Sequence, residues 1–444
     1  MRRSFLLLGC LLSGLVSFGQ VGHVLQGVGA VNMSMGGAAT GQPLDISGAL
    51  QWNPAAISTF DGTQLKFDLG LFFSSPELSS TVPVFGTDGM PTGQFVSGTT
   101  EDDRGLSPLP ALAVVWGKAD SRHRFGASAF GISGFGVTFP ESTTNPINMP
   151  QAMGGFGRIE SDYSLFQLGF TWSYQLTDQL SIGVQPNLDI ATLELMPNPT
   201  ANPNPSGYPS TDKATAFGFG GQIGVFYAAD SGFKAGLSYK TVQSFGDFEL
   251  DNTYLNGATN TNELALDYPS IFSAGLGYTT DQWDFALDYR FIDYKNTDGF
   301  DKAGWTPTAS VAGFGWDNVN VISAGIQYKG FEQWPLRVGY TYGSNPISSD
   351  VAFFNVPSTA IIKNAFQFGL SYELSDNIQI DGMFHYGTSS GSTSGPILNP
   401  MFASNFPPYG AIPGSEVSYT MNTSMVMFGA SFNLGGNQAE ESEE

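Results

Sequence analysis

Across residues 64–73, Leu65, Phe67, Leu69 and Leu71 fall on one side of an extended chain, and Lys66 and Asp68 fall on the other. Side chains alternate along a strand with a period of two, so this stretch predicts a strand with one apolar and one polar face. The same period returns in Leu168, Phe170, Trp172 and Tyr174, in Phe217, Phe219, Ile223 and Val225, and in Trp283, Phe285, Leu287, Tyr289 and Phe291. It is found again at Leu336, Val338, Tyr340 and Tyr342, at Phe366, Phe368, Leu370 and Tyr372, and last at Val426, Phe428, Ala430, Phe432 and Leu434. No helical period of comparable strength competes with it.

Two kinds of connection separate these runs. Short polar turns at 119–122, 177–179, 228–232, 279–282, 330–333 and 375–377 each join two strands into a hairpin. Longer stretches, 74–107, 137–161, 196–213, 243–263, 295–318, 343–360 and 388–416, separate one hairpin from the next. The hairpins with a first and a last strand predict an all-β fold, a transmembrane antiparallel β-barrel of about fourteen strands. Short turns then face the periplasm and long loops the outside of the cell. Aromatic residues beside the short turns (Trp116 with Phe125, Trp172 with Tyr174, Tyr227 with Phe233, Tyr278 with Trp283, Tyr328 with Trp334) fit an interfacial girdle.

Composition agrees with that reading and removes its rivals. The chain has 56 Gly, 36 Phe, 17 Tyr and 7 Trp with only 13% charged residues, yet its net charge is -22. Acidity of this order excludes nucleic acid as a partner, because phosphate binding needs Lys and Arg. Arg2 and Arg3, an apolar stretch over 5–16 and small residues at Ser17 and Gly19 read as a secretory signal, residues 1–19. Cys10, the single cysteine, lies within it, so thiolate chemistry and disulfides are not expected afterwards. Past the signal no apolar run is long enough for a membrane-spanning helix. The expectation is a monomer in the outer membrane of a Gram-negative bacterium, surrounded by outer-membrane lipid and inserted by the barrel-assembly machinery.

Residues 20–63 do not alternate, and a barrel this wide cannot fill its lumen with its own wall side chains. The segment is therefore the candidate plug, ahead of a barrel over 64–434 and an acidic periplasmic tail over 435–444. Within it, Met33-Ser34-Met35-Gly36-Gly37-Ala38, then Asp45, Gly48-Ala49-Leu50 and Trp52-Asn53-Pro54-Ala55, resemble the N-terminal hatch of the FadL/TodX-type outer-membrane transporters. The resemblance implies uptake of hydrophobic compounds, long-chain fatty acids or hydrocarbons, past a hatch in which Gly36, Gly37, Asn53, Pro54 and Ala55 are the gate candidates. An Asn-Pro turn is rigid on physical grounds alone, with or without a gating role. Members of that family also carry an inward kink in the third strand that opens sideways to the membrane. Here the apolar phase slips from Phe125, Ala127 and Ala129 to Phe130 and Ile132, with Gly131 and Gly134 beside the slip. Such a slip marks a bulge, or glycine easing the wall's curvature.

By parity the inward charges are Lys66, Asp68, Lys240, Asp284, Asp288, Arg290, Arg337 and Asp381, with His385. Arg290 and Arg337 are candidates for a ligand carboxylate, or for ion pairs with the wall aspartates. Phe139, Ile147, Met149, Met153 and Phe156 in one outer loop, and Ile397, Leu398, Met401, Phe402, Phe406 and Tyr409 in another, are candidates for a first greasy binding surface. The histidines, His23, His123 and His385, are dispersed, and Glu101-Asp102-Asp103 lacks the spacing of a calcium loop. No cofactor, metal or enzymatic activity is expected. A related barrel serving protein secretion or surface attachment is the alternative to uptake.

Overall fold

The computed structural model describes residues 22–87, 91–118 and 121–435. The signal over 1–19, the turn residues 119–120 and the tail past Gly435 lie outside them. Fourteen strands build the wall: β1 (Gln64–Phe85), β2 (Leu106–Trp116), β3 (His123–Phe139), β4 (Ile159–Gln175), β5 (Leu180–Met196), β6 (Ala214–Ala228) and β7 (Phe233–Lys240). After them come β8 (Ser270–Thr279), β9 (Trp283–Asp293), β10 (Val319–Tyr328), β11 (Leu336–Gly343), β12 (Asn364–Ser375), β13 (Ile378–Thr388) and β14 (Glu416–Asn433). Each runs antiparallel to the next, and β14 closes on β1 in one register from Gln64 opposite Asn433 to Thr81 opposite Glu416. Closure satisfies the backbone polar groups at every strand edge, the condition for crossing hydrocarbon with strands.

The outward faces are apolar and open: Phe67, Leu69, Phe219, Ile223 and Phe428 are all exposed at the surface that meets lipid. The inward faces are small or polar. Every one of Lys66, Asp68, Lys240, Asp284, Asp288, Arg290, Arg337, Asp381 and His385 is buried. Among the described residues no helix is long and apolar enough to span a membrane.

Wall height is uneven. A tilted strand crosses the hydrocarbon in about ten residues; β7 and β11, with 8 residues each, fall just short of that, whereas β1 has 22 residues. Beyond residue 74, where the sequence predicts a loop, β1 continues and pairs with an extra strand, Pro91–Glu101. Above the membrane the outer face of β1 meets water in place of lipid, while Leu78 and Ser80 on the inner face stay buried, so the outer positions need not be apolar and the alternation that betrays the lower half is lost. The outer loops pack over the lumen. Two of them share a three-stranded sheet, Ser210–Thr211 from the loop after β5 with Phe248–Thr253 and Thr259–Leu264 from the loop after β7, and Asn355 ties two others by accepting from Trp316 Nε1 at 2.6 Å and donating to the Phe314 carbonyl.

Residues 22–57, nearly all buried, lie inside the barrel against inward-facing wall positions, and 58–63 lead out to β1. Helix α1 (Ala30–Ser34) is followed by Gly36 and Gly37, whose positive φ angles of 69° and 74° end it. Helix α2 (Ile46–Trp52) starts at Asp45, whose Oδ1 accepts from Gly48 N at 2.9 Å. Asn53 ends α2, and Pro54 opens a 3₁₀ turn over Pro54–Thr59.

Candidate transport path

The lumen segment sits directly on wall backbone. Gly183, Gly236, Gly275, Gly325 and Gly339 face inward, and a Cβ on any of them would run into Ala55, Thr40, Gly41, Met35 or Gly36. Asn53 fastens this seat. Its Oδ1 accepts from Ala55 N at 3.1 Å, while its Nδ2 donates to Thr40 O at 3.0 Å and across to Val225 O of β6 at 3.1 Å. Asn53, Pro54 and Ala55 are all buried. Gly36 O accepts from Thr341 of β11 at 2.8 Å.

Two buried charge groups complete the attachment. Arg290 of β9 donates to the Gly37 and Gln26 carbonyls and to Asp288 at 2.9 Å, and its guanidinium lies 3.7 Å over the Trp52 ring. Asp288 in turn accepts from Ala39 N and Thr40 N at 2.9 Å each. On the other side Lys66 of β1 reaches Asp381 at 2.6 Å, Asp45 at 3.3 Å and Asp68 at 3.8 Å, and Asp68 accepts from Ala30 N at the start of α1. Burial raises the Asp45 carboxyl above its ordinary range, with Lys66 opposing. Arg337 of β11 donates to Gln327 and to Ser371, which donates on to Asp381. Both cations proposed from parity for a ligand carboxylate thus touch protein groups, and neither lines one of the cavities described below.

The wall is incomplete between β2 and β3. The β1–β2 ladder runs on to Leu106 opposite Phe73. The β2–β3 ladder stops at Ala111 opposite Phe130. At that height β3 has a bulge: its register on β4 shifts between Gly131 and Ser133. From there β3 turns to the lumen segment instead of β2, for Leu25 N donates to Ile132 O and Gly134 N to His23 O, both at 3.1 Å, and Ser133 Oγ donates to His23 O at 2.9 Å. Pro108 and Pro110 lie on the released part of β2. A residue without an N–H belongs on an unpaired edge, so Pro-Leu-Pro was the signal in the sequence for a gap in the wall.

A cavity of about 370 Å³ fills this gap. Leu106 and Pro108 reach it from the lipid face of β2; Ser107, Leu109, Phe72 and Met421 reach it from the lumen face. Leu25, Phe135 and Tyr163 form its inner wall, and Arg104 stands at its rim, bonded to Asp162 at 2.5 Å and to Ser161 O. Behind Leu25, His23 is enclosed by Phe300, Tyr294, Tyr163, Tyr268 and Trp316, its ring 4.8 to 5.8 Å from theirs. Its Nδ1 meets Tyr294 OH at 2.6 Å, and burial pushes the imidazole down to about 3.

At the outer end a second, apolar cavity of about 50 Å³ is lined by Ile147, Phe156, Trp305, Phe353, Phe354 and their neighbours. Of the loop candidates, Ile147 and Phe156 belong to it; Phe139 is buried, Met149 is half-buried, and Met153 is 73% exposed. In the other loop Ile397 and Leu398 are buried while Met401, Phe402 and Phe406 project outward.

The sequence model of the outer membrane protein transport protein family (OMPP1/FadL/TodX) matches residues 23–434. A long-chain fatty acid transport protein of Escherichia coli O6:H1 is 21% identical over 377 residues, covering 76% of this chain and 80% of that one. The fold is shared with the toluene transporter TodX of Pseudomonas putida (TM-score 0.67, 18% identity, 93% of this chain and 100% of that one). It is shared also with a FadL homologue of Pseudomonas aeruginosa (TM-score 0.70, 14% identity, 93% and 99%). Transport channels, not enzymes, make up this group. With a closed barrel of fourteen strands, an inserted N-terminal segment and a family match across nearly its whole length, the chain belongs to the OMPP1/FadL/TodX family of outer-membrane transporters of hydrophobic compounds.

Proposed function

We propose that this barrel takes up long-chain fatty acids or hydrocarbons by binding them at its outer loops, moving them past residues 22–63, and releasing them sideways into the membrane between β2 and β3. One observation carries the reading: the 370 Å³ cavity draws its lining from both faces of β2 where the β2–β3 ladder has ended. A greasy solute leaving there enters hydrocarbon without crossing water, which its transfer free energy favours by about 0.8 kcal/mol for each methylene kept dry. The outer apolar residues Ile147, Phe156, Met149 and Met153 supply the first contact, with Phe139 packed beneath. Gly36, Gly37, Asn53, Pro54 and Ala55 serve as the hatch, held by Arg290. The protein works as a monomer placed in the membrane by the barrel-assembly machinery.

Growth on oleic acid or toluene as carbon source, with the chromosomal gene deleted and restored, tests this directly. Restoration by the wild type and not by a chain in which the gap is sealed (Pro108→Thr with Pro110→Thr, Gly131→Val and Gly134→Thr) is the expected result. Equal growth with the sealed wall would remove the lateral exit, and equal growth without the gene would remove uptake altogether.

A further inference from the structure

Beneath the wall-gap cavity lies a second space, only about 10 Å³, bounded by Val28, Gly29 and Met33 of the lumen segment, Ala111 of β2, and Met425 and Met427 of β14. Leu25 and Leu109 line both spaces and stand between them. Met33, Met383, Met425 and Met427 form one buried cluster here, with Phe72 and Leu109 packed on it. The sulfur side chains reach across because Gly70 on the inward face of β1 has none: a Cβ there would meet Met427 Cε at 2.7 Å and Met425 Sδ at 3.1 Å. Two long side chains of β14 therefore lie flat over the β1 backbone and point at β2.

A void of about 10 Å³ holds at most one water. Its lining, though, is the kind that repacks. Methionine is unbranched and flexible, and fills irregular gaps at little cost when a neighbour changes shape. Branched side chains in the same places would have fixed the space at its present size.

We propose that this methionine-lined compartment is a binding site for the tail of an unbranched alkyl amphiphile, and that it sets the chain length the protein selects. The polar end stays in the upper cavity beside Ser74, Ser107 and Arg104, and the tail passes between Leu25 and Leu109 to spread the methionines. The inference rests on the uptake reading and adds to it the part of the molecule that measures chain length. Each methylene that enters gains about four-fold in affinity, the equivalent of about 0.8 kcal/mol. A compact ring such as toluene ends in the upper cavity and gains nothing from the compartment.

The test uses the full barrel in lipid nanodiscs, with a fluorescent dodecanoic acid displaced by unbranched acids from hexanoic to octadecanoic, and by toluene. The wild type should bind longer acids progressively tighter up to a plateau. Met425→Phe with Met427→Phe, and independently Gly70→Val from the neighbouring strand β1, should bring the plateau to shorter acids and leave hexanoic acid and toluene unchanged. Met425→Leu with Met427→Leu, nearly the same volume, should keep the long-chain preference. Heat-modifiable gel migration confirms that each variant is folded. Affinities that fall equally for every length, or a plateau that stays in place in both filled variants, overturn the compartment while uptake stands. Wild-type protein that binds none of the acids overturns the uptake reading and this one with it.

Discussion

Gly236 lies so close under Thr40 that a single methyl group has nowhere to go. Gly236→Ala should therefore lift the lumen segment off β7 at a cost of about 1–3 kcal/mol, the usual range for overpacking, and admit small hydrophilic antibiotics. Gly382→Ala, where no heavy atom stands within 4 Å of the new Cβ, should leave the minimum inhibitory concentrations alone. Asn53→Ala deletes two donated hydrogen bonds and one cap. The expected loss is about 2–3 kcal/mol of local stability, with two carbonyls left buried, read as faster hydrogen exchange over residues 38–59. His23 makes the seat sensitive to acid. Its folded pKa of about 3 lies below the ordinary 6.5, so the unfolded or displaced segment binds the extra proton. Its contribution is complete above about pH 6.5 and is lost as the pH falls from there toward 3. Single-channel recordings should show opening events growing more frequent over that window, and His23→Phe should flatten the dependence.

The wall-gap strands show what a sequence can and cannot reveal. In β9 the lipid-facing positions Trp283, Phe285, Leu287, Tyr289 and Phe291 must be apolar and the inward ones need not be, so the strand is plain from its alternation. In the lower half of β14, Met425, Val426, Met427 and Phe428 are apolar on both faces, and a methionine aimed at the lumen is indistinguishable from one aimed at lipid. The phase slip in β3 was legible because Ile132 breaks a period of two within its own strand. That β2 lets go of β3 was legible only as Pro108 and Pro110. That Leu25 and His23 take the vacated edge was not legible at all, since the contact joins segments more than a hundred residues apart. Giving β2 back its donors with Pro108→Thr and Pro110→Thr should extend the β2–β3 ladder past Ala111 and slow uptake of hydrophobic solutes several-fold. Radiolabelled oleate accumulation measures it, and accumulation at the wild-type rate would argue that the gap is not an exit.

For the barrel as a body in a membrane, depth decides the cost of a charge. Phe428 is 59% exposed to lipid and pairs with Leu69 and Gly382, well inside the span, whereas Phe432 pairs with Leu65 and Ile378 at the periplasmic end. Phe428→Arg should cost about 2–4 kcal/mol and Phe432→Arg about 0–1. The amount of heat-modifiable barrel recovered from outer membranes checks the order, and equal losses would show that the membrane boundary has been misplaced. The closing strands carry a further consequence in Lys66. Its nearest carboxylate, Asp381, belongs to β13, so the pair forms only after β14 has slotted between β1 and β13. Gly429 of β14 lies between the two strands' carboxylates, since a Cβ there would run into Asp68 and come into contact with Asp381. A closure slipped by one residue would turn Lys66 and Asp68 both outward, Asp68 at the depth of Gly429 into hydrocarbon and Lys66, opposite Ser431, toward the periplasmic interface. Charge should thus proofread the last zipping step of insertion: a wrongly threaded seam exposes a carboxylate to lipid, while the right one buries both ions against Ala30 and Asp45.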